Sequence, residues 1–173
     1  MAGKSSMRSR QSVRDMVLSM LAVGGVVTVG YLFVPHSAGD GVHVVDYHTA
    51  LASAKRAAPY PVLGPQGLPE RWRATSVDYR KDKNGHNVWH LGFVTPTGEY
   101  AAVEQSNATK ADVLAAAVPG GAADGSAPVA GQDWERYQGE RYRGLTRQDG
   151  AATTVVAGSA SYEELAQLAQ ALR

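Results

Sequence analysis

Residues 16–34, MVLSMLAVGGVVTVGYLFV, carry no charge over 19 positions. As a helix that run spans roughly 28 Å, close to the hydrocarbon thickness of a bilayer. A helix satisfies its own backbone hydrogen bonds in lipid, which an open strand cannot do. Tyr31 and Phe33 stand near the far end of the run, where aromatic rings favour the membrane interface. Lys4, Arg8, Arg10 and Arg14 precede it against a lone Asp15. This cluster predicts residues 1–15 on the cytoplasmic side and everything beyond Pro35 outside. A cleaved signal has a shorter apolar core, about 7–15 residues, followed by a small-x-small site. The nearest such site, Ser37-Ala38-Gly39, is a poor match, so an uncleaved anchor is expected. The run thus divides the chain into a basic tail (1–15), a single span (16–34), a linker (35–45) and an extracytoplasmic domain (46–173).

The outer portion has a different charge balance from the tail. Residues 35–173 carry 13 basic and 15 acidic residues, so the bulk of the chain is not a basic nucleic-acid binder. With no cysteine there is no disulfide, thiolate ligand, cysteine nucleophile or lipid-modified anchor. The domain must hold itself together by packing alone.

Local patterns outline that domain. Asp46 is placed to cap a helix through about Ala58, with Tyr47, Leu51, Ala54 and Ala58 on one stripe. PYPVLGPQGLP follows, and its four prolines exclude helix and central strand. It is expected to lie extended on the domain surface. Strands are predicted over 75–80, 87–94 and 99–106, joined by turns at Asn84-Gly85 and at Thr95-Pro96-Thr97-Gly98. Thr109 and Asp112 then form a T-x-x-D cap before an apolar helix face. Residues 119–131, PGGAADGSAPVAG, read as a flexible linker. Beyond it, strands are predicted over 132–137, 140–147 and 152–158. Ser161 and Glu164 make a second capping box, and the last helix aligns Leu165, Leu168, Ala169 and Leu172.

The two halves invite comparison. GFVTPTG at 92–98 and GLTRQDG at 144–150 lie 52 positions apart, and at that offset Val103 meets Val155, Thr109 meets Ser161 and Asp112 meets Glu164. Duplication and coincidence are equally open on this pattern. The expected fold is α+β: an antiparallel sheet of about six strands, βββα–linker–βββα, with the helices packed on one side.

Chemistry is sparse. His43-x-x-Asp46-x-His48 places three possible ligands within six residues but lacks a fourth, and His86 and His90 share a strand face; surface histidines are the simpler reading. No G-x-S-x-G elbow exists, and Ser106 and Ser161 are explained by a strand end and a cap. Asp78 with Asp82, and Glu163 with Glu164, sit in turn or first-turn helix contexts. Gly120-Gly121 lacks the G-K-[ST] of a phosphate loop. DWERYQGERYRGLTR interleaves arginines with Trp134, Tyr137 and Tyr142, yet Asp133, Glu135 and Glu140 offset the charge. The candidate binding surface is Trp72, Trp89, Trp134, Arg141 and Arg143.

Pro65-x-x-Leu68-Pro69 with Trp72, the run Trp89 to Gly92, Gly131 with Trp134, and the close from Gly158 to Leu172 carry a resemblance. On these motifs the chain resembles an actinobacterial membrane-protein family catalogued as domain of unknown function 4245. The resemblance covers nearly everything from the apolar run to Arg173. It implies a single-span or signal-anchored exported protein and implies no activity. The expectation is a non-enzymatic binding or assembly module of the cell envelope, without cofactor or metal. It would contact the bilayer through its N-terminal helix and bind envelope proteins, or itself, rather than nucleic acid. A carrier of an apolar or cell-wall ligand is the alternative, and an envelope hydrolase the third reading.

Overall fold

A computed structural model of the chain describes residues 16–25 and 42–173. Residues 16–25 form a helix, α1, within a unit distinct from the one that begins at Gly41. Residues 26–34 of the apolar run lie outside the described residues. Among those described, no helix is long and apolar enough to cross a membrane.

The second unit is built on one sheet of seven antiparallel strands in the order β1-β2-β3-β7-β6-β5-β4. The strands are β1 (Arg73–Lys81), β2 (Asn87–Val94), β3 (Tyr100–Ser106), β4 (Ala122–Val129), β5 (Gln132–Gln138), β6 (Arg143–Asp149) and β7 (Ala152–Gly158). Three further helices accompany them: α2 (His48–Ala57), α3 (Lys110–Ala117) and α4 (Tyr162–Ala171). Two meanders, β1-β2-β3 and β4-β5-β6-β7, meet where β3 pairs with β7.

The seventh strand corrects the sequence reading. Residues 119–131 contain β4, which pairs with β5 from Ala122 to Val129. A two-residue turn closes that hairpin, with Ala130 at φ 52° and Gly131 at φ 76°. Positive φ at both positions gives a turn whose twist matches the flanking strands. β4 is an edge strand, exposed along most of its length. An edge strand needs no apolar face and tolerates Pro128, so it leaves no alternating pattern to read.

The helices also differ from expectation. In β7, Val155 points toward α3 and packs with Val113, Val118 and Ala157. Its neighbour Val156 points the other way and joins Leu165 and Leu168 of α4. Successive strand residues alternate faces, so α3 and α4 cover opposite sides of the sheet. A single-sided arrangement would have left one face of the central strands without cover, and those strands are apolar on both.

The α4 face holds the main core. Trp89, Leu91, Phe93, Val103, Leu145 and Val156 from the sheet pack beneath α4 and α2. The proline-rich segment is part of this layer, not an outer strap. Tyr60 and Val62 are buried. The Tyr60 hydroxyl donates toward the carbonyls of Asn87 at 3.0 Å and Gln105 at 3.1 Å. Gln105 is itself buried; its Oε1 accepts from Leu63 N at 2.7 Å and its Nε2 donates to Thr154 Oγ1 at 3.0 Å. Gly64 and Arg173 exchange two backbone hydrogen bonds, joining this segment to the strand-like residues after α4. A Pro-rich stretch cannot form a ladder on both sides, so side chains satisfy the rest of its polar groups.

Local signals near turns and caps hold. Gly85 and Gly98 adopt positive φ. Thr109 and Ser161 cap α3 and α4, and the Ser161–Glu164 capping box is complete. Asp46 Oδ1 accepts from His48 N at 2.9 Å, although the N-cap position itself is Tyr47.

The internal similarity does not extend to tertiary structure. The Gly98 turn spans a five-residue loop between Val94 and Tyr100, whereas Asp149 and Ala152 pair across two residues at Gly150. With the following helices on opposite faces, residues 92–118 and 144–170 take different courses.

Candidate functional site

The face opposite the main core is only partly covered. α3 is eight residues long and lies over the centre of the sheet. A row of small residues crosses the sheet beside it: Ser76, Gly92, Ala102, Ala157 and Gly144 are successive cross-strand partners. Val118, at the end of α3, closes this row over Gly144. The result is a trough along one flank of α3. One part, of about 420 Å³, is floored by Ala102 and Ala157 and walled by Tyr100, Tyr142, Arg141 and the alanines of α3. A second part, of about 240 Å³, lies between Arg80, Val88 and the start of α3. Glu104 and Ala116 line both. These are open grooves rather than a chamber within the core.

A polar chain runs from Glu104 toward the β1 edge. Glu104 Oε1 lies 2.5 Å from His90 Nδ1, and His90 Nε2 lies 2.8 Å from Ser76 Oγ. An ionised carboxylate can only accept, so Nδ1 carries a hydrogen, and in the neutral imidazole Nε2 then accepts from the Ser76 hydroxyl. His90 and Glu104 side chains are 19% and 25% exposed, half-sheltered and reachable. On its other side His90 faces Asp78, whose carboxylate is held by Arg80 at 2.7 Å.

Tyr100 completes the arrangement. Its hydroxyl and that of Ser76 both sit above Gly92. A methyl group at Gly92 would stand 2.4 Å from Ser76 Oγ and 3.0 Å from Tyr100 Oη. Gly92 therefore provides the space these two hydroxyls occupy. Burial, the Glu104 carboxylate and Tyr142 push the Tyr100 phenol up to about 12, against a smaller opposing effect of the Ser76 hydrogen bond. It is a neutral O–H donor at any physiological pH.

The residues selected from sequence are not brought together. Trp72, Trp89 and Trp134 are 6%, 0% and 1% exposed and belong to the core, which removes them from any binding surface. Their bulk fills the α4 face; the Trp89 indole donates to Leu63 O at 3.1 Å. Arg141 is exposed and lines the trough, with its guanidinium 5.3 Å from the Tyr142 ring. Arg143 points to the opposite face and lies over Tyr162 at 5.6 Å. Consecutive odd positions around a strand start do not share a face when one of them precedes the strand.

His86 is held by Asp82 in the β1–β2 turn at 3.0 Å, while His48 stacks on Tyr47. Among the described residues no group of three or more potential ligands is placed to hold a metal ion. The sequence reading weighed His90 only as a surface histidine and did not single out Ser76, Tyr100 or Glu104. The available signal was register: with hairpins centred near Asn84 and Thr97, His90 must lie opposite both Asp78 and Glu104.

Comparison with known proteins gives little on role. No curated protein matches the chain. Among solved structures it is similar to MucB in a crystal structure of its complex with MucA(peri), at 15% identity and a TM-score of 0.39, over 66% of this chain and 36% of that one. It is similar in the same way to a Pseudomonas aeruginosa MucA/MucB complex chain, at 16% identity and a TM-score of 0.38, over 64% of this chain and 34% of that one. The chain spans about a third of the length of these structures, a likeness too distant to transfer a partner or a role. At the level of family the match is broad: the description "Protein of unknown function (DUF4245)" covers residues 8–172, and the chain belongs to that family.

Proposed function

We propose that this chain is a binding or assembly module of the cell envelope, anchored by residues 16–34, with its domain outside the membrane. The observation that supports this reading is the trough beside α3. Its small-residue floor lets an extended segment approach the sheet closely, and Tyr100 and Tyr142 offer aromatic walls. Among the described residues Arg141 has no carboxylate within ion-pair distance. The occupant that fits is an extended stretch of a partner protein carrying a carboxylate opposite Arg141. A carrier of an apolar ligand would call for an enclosed apolar cavity, whereas the grooves here are open and the main core is filled by side chains.

Affinity capture of the tagged full-length protein from native membranes tests this. Wild type is expected to recover a specific envelope protein. Arg141→Glu reverses the charge at the mouth, and Ala116→Trp fills the trough from an exposed position. Both should reduce recovery at least tenfold while the domain remains folded. Recovery of the wild type alone, with lipid or glycan in its mass spectrum, would move the reading to the carrier. Equal capture by both variants would put the partner surface elsewhere.

A further inference from the structure

We propose that Ser76, His90 and Glu104 form an activated-serine centre that takes the acyl group of a neutral carboxylic ester. Three strands each contribute one side chain, in the order nucleophile, base and orienting carboxylate. The Ser76–His90 and His90–Glu104 distances are 2.8 and 2.5 Å, within hydrogen-bond reach. Such a constellation is recognised by geometry and roles rather than by chain order or a local motif. That is why a search for a nucleophile elbow passes over it.

Two independent features favour chemistry at this place over a passive surface network. The first is Gly92. A residue with a side chain would ordinarily be expected in mid-strand, and its absence opens the space above β2 in which Ser76 Oγ and Tyr100 Oη meet. The second is Tyr100. The Tyr100 phenol stands beside Ser76 over Gly92 as a side-chain donor, and its burial keeps it protonated. Ser76 and His90 do not line the trough themselves; Tyr100 and Glu104 join the centre to it, and the acyl chain would extend across Tyr100 into the part floored by Ala102 and Ala157.

The chemistry follows from the partners. Ser76 Oγ adds to the ester carbonyl carbon as its proton passes to His90 Nε2. Charge develops on the carbonyl oxygen, and Tyr100 O–H donates to it. The carbon–oxygen bond to the alcohol then breaks, and the departing alkoxide takes the proton from His90. Water attacks the acyl-serine, gives a proton to His90 and releases the acid. Ser76 recovers its proton, so the net reaction is ester plus water to carboxylic acid plus alcohol. Glu104 is a positioning residue that fixes the imidazole in the tautomer with a free Nε2. The carboxylates of Asp78 and Glu104 flank the site, which disfavours an anionic phosphate at the reacting centre and favours a neutral carbonyl.

A neutral alkyl fluorophosphonate is the direct probe, used on the full-length protein in detergent micelles. The expected result is one label per chain, mapped by mass spectrometry to Ser76. Ser76→Ala should abolish it. His90→Gln should slow labelling by about 10²–10³-fold, as loss of a general base does. Tyr100→Phe should slow both p-nitrophenyl ester turnover and labelling by at least tenfold with the fold intact, since both reactions place negative charge on the oxygen that the phenol would face. Circular dichroism melts on each variant separate loss of activation from loss of fold. No label on folded wild type, label at another residue, or equal rates for wild type and His90→Gln would each overturn the proposal. The probe does not need the docking partner, so failure of either reading leaves the other measurable.

Discussion

Gly92 shows how a single residue can join fold and chemistry. Its backbone is ordinary strand, so its role is not conformational freedom but the lack of a Cβ where Ser76 and Tyr100 converge. Gly92→Ala should push the Ser76 hydroxyl off His90 and lower stability by about 1–3 kcal/mol, the usual cost of overpacking. Urea unfolding measures the second effect and fluorophosphonate labelling the first. An unchanged melt with unchanged labelling would mean the neighbouring side chains move aside freely. Residues of this kind are hard to read in sequence. His90 in isolation is one histidine among five; it gains a role only when two register relations put Ser76 and Glu104 beside it.

Among the elements, α4 is the most legible. Its cap, its apolar stripe and its buried positions were all expected, because each depends on residues within one or two turns of one another. Glu164 goes further. Its carboxylate completes the capping box and also accepts from Thr97 Oγ1 at 2.7 Å, tying α4 to the β2–β3 turn. Burial pushes this carboxyl up, but the hydrogen bonds from Thr97, Thr95 and Ser161 outweigh it and hold the group below its ordinary 4.5. A lowered folded value means the stabilisation is fully present above the unfolded value and is lost as pH falls through the folded one. Glu164→Gln should therefore be less stable than wild type at neutral pH and show a flatter acid limb. Melting temperatures between pH 3 and pH 7, roughly the span of carboxylate titration, provide the check; parallel curves would contradict it. At the other extreme stands β4. It is specified by backbone pairing at an edge, and PGGAADGSAPVAG has the composition of a linker because an edge strand asks little of its side chains.

For the whole molecule, the two sides of the sheet divide the labour. The α4 face takes α2, the proline-rich segment and the tryptophans, and carries most of the packing. The α3 face has a small apolar cluster and stays open enough to present a trough. Proposed topology puts this entire unit outside the cell. Protease added to intact spheroplasts should then cut between residue 34 and the domain and release a fragment carrying residues 46–173. Protection of that fragment until the membrane is breached would reverse the orientation.

The sequence by itself determined the antiparallel strands flanking Asn84-Gly85 and Gly98, both helix caps, the α4 stripe and the separation of an uncharged N-terminal run from the rest. All of these arise from neighbours within a few residues of each other. Only the tertiary structure decided that residues 119–131 include a seventh strand, that α3 and α4 lie on opposite faces, and that the proline-rich segment enters the core. It also brought Ser76, His90 and Glu104 together. Strand pairing joins residues 14 positions apart as firmly as adjacent ones, and a one-residue change in register would send each of these side chains to the other face.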